Sequence, residues 1–332
     1  MSVRQVAEQA GVSPATVSRV FTQPDTVAAE TRRRVLAVAE KLQYTPHPVA
    51  RSLARGRTGN LGIVVNDIAN SFAAVIIKAV QEEARHHGCA LFVAGAERDG
   101  ADEFPTARAL AAQVDGLILV SPGMSESEVR SIAAIAPIVL VNYDIVGVPA
   151  VLIPAEEGAA QAVEHLHALG HRTIAYISGP PIYSNRTRLH TFRGACTRLS
   201  VNGLEIDVGD ARFSAGVRGA DLVLATPATG VLAFNDEVAV GVVNRLTDRG
   251  VRVPDEVSVV GFDDTGLAQM VRPRLTTVRL PAAVAGRSAT RILLERLAAA
   301  ASDGPEPLRL ASELIVRNST GPAPKNARPD HS

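Results

Sequence analysis

Ser13, Pro14, Ala15, Thr16, Ser18 and Arg19 lie close together near the start of a 332-residue chain, and their types suit one kind of chemistry. Small hydroxyls and a guanidinium beside a helix N-terminus can hydrogen-bond phosphate oxygens and base edges in the major groove of duplex DNA. A second group stands just after aliphatic runs: Phe72, Asn142, Asn235 and Asp263. Asn and Asp side chains converging on one cleft can each make two hydrogen bonds to neighbouring hydroxyls, which suits a small polyol. Neither group contains a nucleophile paired with a base. The sequence also lacks a GxSxG elbow, a GxxxxGKS/T phosphate loop, a GxGxxG dinucleotide turn and an HExxH helix, so binding is expected rather than catalysis. His165, His167 and His171 form the one histidine cluster, with no acidic partner in register, and neither a metal nor a cofactor is expected.

The first group needs a short helical unit to hold it. Val3, Val6, Ala7 and Ala10 recur at i, i+3, i+4 and i+7, the apolar stripe of a first helix. Gly11 allows a turn, Ser13 is placed as an N-cap, and Pro14 opens a second helix where its missing N–H costs nothing. Val17, Val20 and Phe21 face inward on that helix, leaving Ala15, Thr16, Ser18 and Arg19 on the other side. A third helix is expected from about 28 to 43, with Val35, Leu36, Ala39 and Leu42 buried and Arg32, Arg33 and Arg34 outside. Its cap position holds Ala28, which offers no side-chain acceptor. A helical hairpin that merely packs on another surface has the same spacing, so geometry alone leaves both readings open.

Charge adds weight to the first. The whole chain balances 34 basic against 34 acidic residues, yet residues 1–58 hold nine basic and four acidic ones. Positive charge gathered on a small N-terminal unit is the footprint of a nucleic-acid binder. Tyr44-Thr45-Pro46-His47-Pro48 then stops the third helix, and the basic segment VARSLARGRTG follows with helical spacing. Alone it is too short to be stable, since helices under about 12 residues are marginal in water. A plain basic linker is the alternative.

From Asn60 the texture becomes α/β. Aliphatic runs at 61–65, 90–94, 116–120 and 137–141 read as buried strands, with helices near 71–87 and 102–112. A second series at 173–178, 230–234 and 257–262 alternates with helices near 156–169, 185–199 and 236–249. Such alternation gives two doubly wound parallel sheets, whose ligands sit at the carboxyl ends of the strands. Asp236 is expected to cap the helix after it. Cys89 and Cys196 have no metal or redox spacing and are expected to be buried thiols. No apolar leader opens the chain and no 18 apolar residues run together, so a cytoplasmic protein without a membrane partner is expected.

AGVSPATVSRV resembles the operator-reading segment of the LacI/GalR family of bacterial transcription factors. The likeness returns in GVRVPDEVSVVGFDD, RPRLTTVRLPAAVAGRSA and LIVRNST, and so extends over about residues 2–320. It implies an N-terminal all-α helix-turn-helix domain (1–46), a hinge helix or linker (47–59) and a periplasmic-binding-protein-like α/β core of two doubly wound parallel-sheet lobes (60–320). The first lobe would take about 60–153 and 281–305, the second about 154–280 and 306–320, and 321–332 would be a disordered tail. It implies a ligand-responsive regulator, a repressor in most members, that binds a pseudo-palindromic operator in double-stranded DNA as a homodimer. Ala50 and Leu53 would enter the minor groove from the hinge. A small-molecule effector, a sugar, polyol or nucleoside-like compound, would sit between the lobes. Arg186 or Arg188, in SNRTRLHTFRGA, would reach it, and Phe213 would cover the pocket.

Departures from the family pattern point to a particular ligand. Ser71 and Ala73 stand where proline and a second aromatic are usual, Pro154 where Asp is frequent and Leu280 where Gln is frequent. The missing anchors suggest an effector less hydroxylated than a hexose. Two other classes fit the same fold less well. A sugar-binding transport protein needs a secretion signal and has no use for residues 1–58, and an α/β enzyme with a fused DNA-binding segment lacks any catalytic motif.

Overall fold

Ser2 begins the folded chain as the N-cap of helix α1 (Val3–Ala10), in a capping box with Gln5, and Gly11 ends that helix at φ +62°. Only glycine adopts this left-handed conformation at little cost, which is why the turn forms there. Helix α2 (Pro14–Thr22) follows, and α3 (Ala29–Lys41) packs across both around Val6, Ala10, Val17, Val20, Val35 and Ala39. Ala28 makes no side-chain cap bond to α3, as its type requires. Leu36, expected inside, is exposed; Val38 packs on the core instead, on the opposite flank of the Val35–Ala39 stripe. The computed structural model describes residues 2–22, 24–44, 57–96, 102–298 and 306–325.

The rest forms two six-stranded sheets. The first takes β1 (Asn60–Val65), β2 (Ala90–Gly95), β3 (Gly116–Val120), β4 (Ile138–Val141), β5 (Ala150–Leu152) and β11 (Leu308–Arg309), in the order β11-β5-β4-β3-β1-β2. The second takes β6 (Thr173–Ser178), β7 (Asn202–Asp207), β8 (Gly230–Ala233), β9 (Ser258–Asp263), β10 (Thr276–Arg279) and β12 (Glu313–Ile315), in the order β12-β10-β9-β8-β6-β7. Every pairing is parallel except β10 with β12. Helices α4 (Ser71–His86), α5 (Glu103–Ala111), α6 (Glu126–Ala133) and α12 (Ala282–Ala298) cover the first sheet. Helices α7 (Glu156–Ala168), α8 (Tyr183–Leu199), α9 (Phe213–Leu224), α10 (Asp236–Asp248) and α11 (Gly266–Met270) belong to the second.

The chain passes between the lobes three times, near 153–155, 280–281 and 310–312, and one apolar cluster runs through the passage from Ile63 to Tyr176 by way of Ile153 and Leu280. Residues 308–309, assigned by sequence to the second lobe, pair with β5 and so belong to the first; so short a strand carries no periodicity to read. Gly321 and Ala323, expected in a disordered tail, are ordered. Gly321 O lies 3.1 Å from His171 Nε2, and Ala323 N donates to Leu169 O. That backbone satisfies the Leu169 carbonyl at the half-exposed end of α7 and the imidazole of His171, whose other nitrogen meets Thr229 Oγ1 at 2.8 Å. Cys196 is buried and Cys89 half-buried, both as free thiols.

Candidate nucleic-acid interface and effector cleft

Ser13 accepts from Thr16 N at 3.1 Å and so caps α2, while its hydroxyl meets Thr16 Oγ1 at 2.9 Å. Ser13, Pro14, Ala15 and Arg19 are exposed, and Thr16 and Ser18 half-exposed, on the side of α2 opposite Val17 and Val20. The predicted groove-facing set therefore shares one surface, with the positive end of the α2 dipole at its head, where anions are favoured. Ala50 and Leu53 lie outside the described residues.

In the core, the carboxyl ends of the strands carry the unusual backbone. Ser121 after β3, Asn142 after β4, and Asp263 and Asp264 at the end of β9 all have positive φ, between 47° and 102°. Non-glycine residues hold such conformations only where their surroundings enforce them, and they gather at functional sites. Asn142 is fixed by its own side chain, whose Oδ1 accepts from Ile153 N at 3.1 Å across the first crossover.

Arg188 is the centre of the second lobe's face. It is only 5% exposed, its guanidinium lies 3.9 Å from the Phe262 ring centroid and 4.9 Å from that of Phe234, and it donates to Phe234 O and to Asp263 Oδ1 at 3.3 Å. Burial pushes the Asp263 carboxyl up while Arg188 opposes the shift. Asn185, one turn earlier on α8, anchors the segment. Its amide accepts from Tyr176 Oη and Gly179 N and donates to Ser178 Oγ and Gly179 O. No sequence signal singled out Asn185, because a buried amide in a helical string looks like any surface Asn.

Asn142 and Arg188 line one cavity of about 70 Å³ between the lobes, together with Pro154, Leu280 and Tyr183. Asp263 joins the site through Arg188. The other predicted contacts do not line this cavity. Arg186 is exposed and donates to Pro181 O. Phe72 is half-buried in the first turn of α4, packed on the core, and Phe213 opens α9 and is 40% exposed. Asn235 is 2% exposed and fully engaged, accepting from Val238 N as the N-cap of α10 and donating to Ala211 O. Asp236 was expected as that cap; it sits one position later, 1% exposed, accepting from Thr265 N, Thr265 Oγ1 and Thr277 Oγ1. Burial, with the Asp263 charge nearby, pushes its carboxyl up to about 7.

Two contacts close the cleft from side to side. Arg212 pairs with Asp67, and the rings of Tyr143 and Tyr183 meet edge-on at 6.1 Å. The sequence offered no hint of either, since each joins residues far apart in the chain.

Residues 2–47 match the model of the bacterial regulatory proteins of the lacI family, and residues 163–320 match that of the periplasmic binding protein-like domain. Catabolite control protein A of Priestia megaterium is 32% identical over 304 residues, covering 88% of this chain and 91% of that protein. The chain belongs to the LacI family. The HTH-type transcriptional repressor CytR of Escherichia coli K12 is 29% identical over 97% of both chains. The lac repressor dimer bound to operator and the anti-inducer ONPF superposes with a TM-score of 0.87 at 30% identity, over 97% of this chain and 99% of that one. A LacI-family chain is a DNA-binding transcriptional regulator with an effector-binding core, which sets aside the enzyme and transport alternatives. Among the described residues no helix is long and apolar enough to cross a membrane.

Proposed function

We propose that this LacI-family chain is a repressor that acts in the cytoplasm as a homodimer on a pseudo-palindromic operator and is set by a small effector held between its lobes. Each subunit places α2 in a major groove, with Arg19, Ser18 and Thr16 toward base edges and Ser13, Pro14 and Ala15 toward the backbone. Ala50 and Leu53 of the two hinge segments meet in the minor groove between the half-sites and wedge the duplex open. Asn142 and Arg188 hold the effector, and Asp263 fixes the Arg188 guanidinium from behind. The effector changes the angle between the lobes and so the separation of the hinges, and DNA and effector affect each other's affinity by the same factor.

The observation that carries this reading is the exposed polar face of α2 joined, in one chain, to a two-lobed core whose interlobe cavity holds Asn142 and Arg188. The test is a footprint of the full chain on a duplex selected from a random library. Two protected half-sites about one helical turn apart, bound by two subunits, are expected; protection of one half-site by a single subunit contradicts the dimer.

A further inference from the structure

At the base of the first lobe the chain that enters the core closes on one carboxylate. Asp115 stands half-buried in the turn between α5 and β3, and both of its oxygens are engaged. Its Oδ1 accepts from Thr58 N at 2.6 Å and from Thr58 Oγ1 at 2.9 Å, and its Oδ2 accepts from Gly59 N at 2.8 Å. Backbone bonds hold the same point from two further sides, Asp115 N donating to Asn60 O and Ala90 N to Gly59 O. Arg57, one residue earlier, donates from Nη2 to Leu297 O near the end of α12. Gly59 has φ +73° with open space where a Cβ would stand, so the entry into β1 depends on backbone conformation and not on room.

The position of this clamp gives it a consequence beyond closing a loop. Thr58 and Gly59 precede β1 and Asp115 precedes β3, so the carboxylate lies at the amino ends of the strands, where the N-terminal unit joins the core. The effector cavity lies at the opposite, carboxyl ends, beside Asn142 and Ile153. At those far ends of the same two strands Asn66 Nδ2 donates to Ser121 O at 3.0 Å, and Asp67 pairs with Arg212 of the second lobe. β1 and β3 are paired and buried along almost their whole length, and a close-packed pair of this kind moves as one body. Whatever holds Thr58 and Gly59 to β3 therefore sets where, and in which direction, the DNA-binding unit leaves the core.

Reach decides how much that matters. Released from Asp115, residues 57–59 add up to about 10 Å of tether to each subunit, whereas one base pair inserted between two half-sites moves them about 3.4 Å apart. Resting on the reading of a dimer on a pseudo-palindrome, we propose that Asp115 is a positioning residue that fixes the half-site spacing the protein accepts. It does so through Thr58 and Gly59, by holding the two hinge segments of a dimer at one separation.

Anisotropy titrations of the full chain test this on the inverted repeat it enriches from a random library, with the centre as selected, one base pair longer and one base pair shorter. The parent is expected to bind both altered duplexes about tenfold more weakly than the selected one. Asp115→Ala removes all three bonds and leaves donors on the exposed Thr58 that can turn to water, so a cooperative melt is retained. It is expected to bind the three duplexes within about threefold of one another. Thr58→Val, which deletes one of the three donors, is expected to reduce the preference in part, and Thr58→Ser, which keeps them all, to preserve it. A parent that binds all three spacings equally overturns the proposal. So does an Asp115→Ala that weakens on every duplex by one factor and keeps the parent's preference, since that is the mark of a purely structural side chain. Should Asp115→Ala fail to fold, Thr58→Val decides, an undiminished preference overturning the proposal. A parent that enriches no inverted repeat removes the dimer reading itself and the proposal with it, an outcome distinct from a spacing preference that survives the loss of Asp115.

Discussion

Arg212 Nη2 lies 3.1 Å from Asp67 Oδ2, an ion pair that ties the start of α9 in the second lobe to the loop after β1 in the first. Both side chains are partly open to solvent, so the pair contributes at most about 1 kcal/mol and weakens with salt. For global stability that is small. For a balance between open and closed lobes it is a factor of about five. Arg212→Ala is therefore expected to leave the melting temperature within a few degrees of the parent and to raise the radius of gyration measured by small-angle X-ray scattering. Scattering identical to that of the parent at low salt would mean that the pair does not hold the lobes together.

The Arg188–Asp263 pair behaves differently because both partners are buried. Removing one leaves the other charged and desolvated, at a cost of about 3–5 kcal/mol, whereas removing both together costs less than the sum. Urea unfolding of Arg188→Met, Asp263→Asn and the double variant is expected to show this. Additive losses would indicate that the two side chains do not depend on each other.

Asp236 gives the fold a pH dependence with a definite sign. Its carboxyl titrates near 7 in the folded protein and near 3.8 when unfolded, so folding favours the protonated form. The stability from this group is complete below about pH 4 and is lost as pH rises toward 7, by up to about 4 kcal/mol. Asp236→Asn keeps the shape and cannot ionise. The unfolding free energy of the parent minus that of Asp236→Asn is expected to fall across this window, and a flat difference would show that the carboxylate is ionised in the fold throughout.

Much of the fold could be read from residue patterns, and the reasons for the misses are physical. Strands such as β3 and β9 are buried on both faces, so they appear as aliphatic runs. β7 lies at a sheet edge with Ile206 its one buried residue, and β5 and β12 span three residues each, so no pattern marks them. The exposed face of α2 is legible because capping and helical spacing are local: Ser13, Pro14 and Val17 act within one turn. The cleft was less so. Asn142 and Arg188 line the cavity, but nothing local distinguishes Asn235, consumed in capping α10, from an asparagine free to meet a ligand. Asp236 was assigned the cap that its neighbour supplies, because two adjacent capping residues cannot be ordered without the backbone. The apolar substitutions Pro154 and Leu280 were flagged by resemblance, and both line the cavity.

If α2 reads duplex DNA through the face that carries Arg19, base preference depends on that side chain. Selection of bound duplexes from a random library by the full chain, repeated with Arg19→Ala, tests it most directly. Enrichment of an inverted repeat by the parent is expected, and for Arg19→Ala a loss of about 1–3 kcal/mol in affinity for that repeat with relaxed preference at one base pair of each half-site. No enriched repeat with the parent, or the same repeat bound equally well by Arg19→Ala, would contradict it.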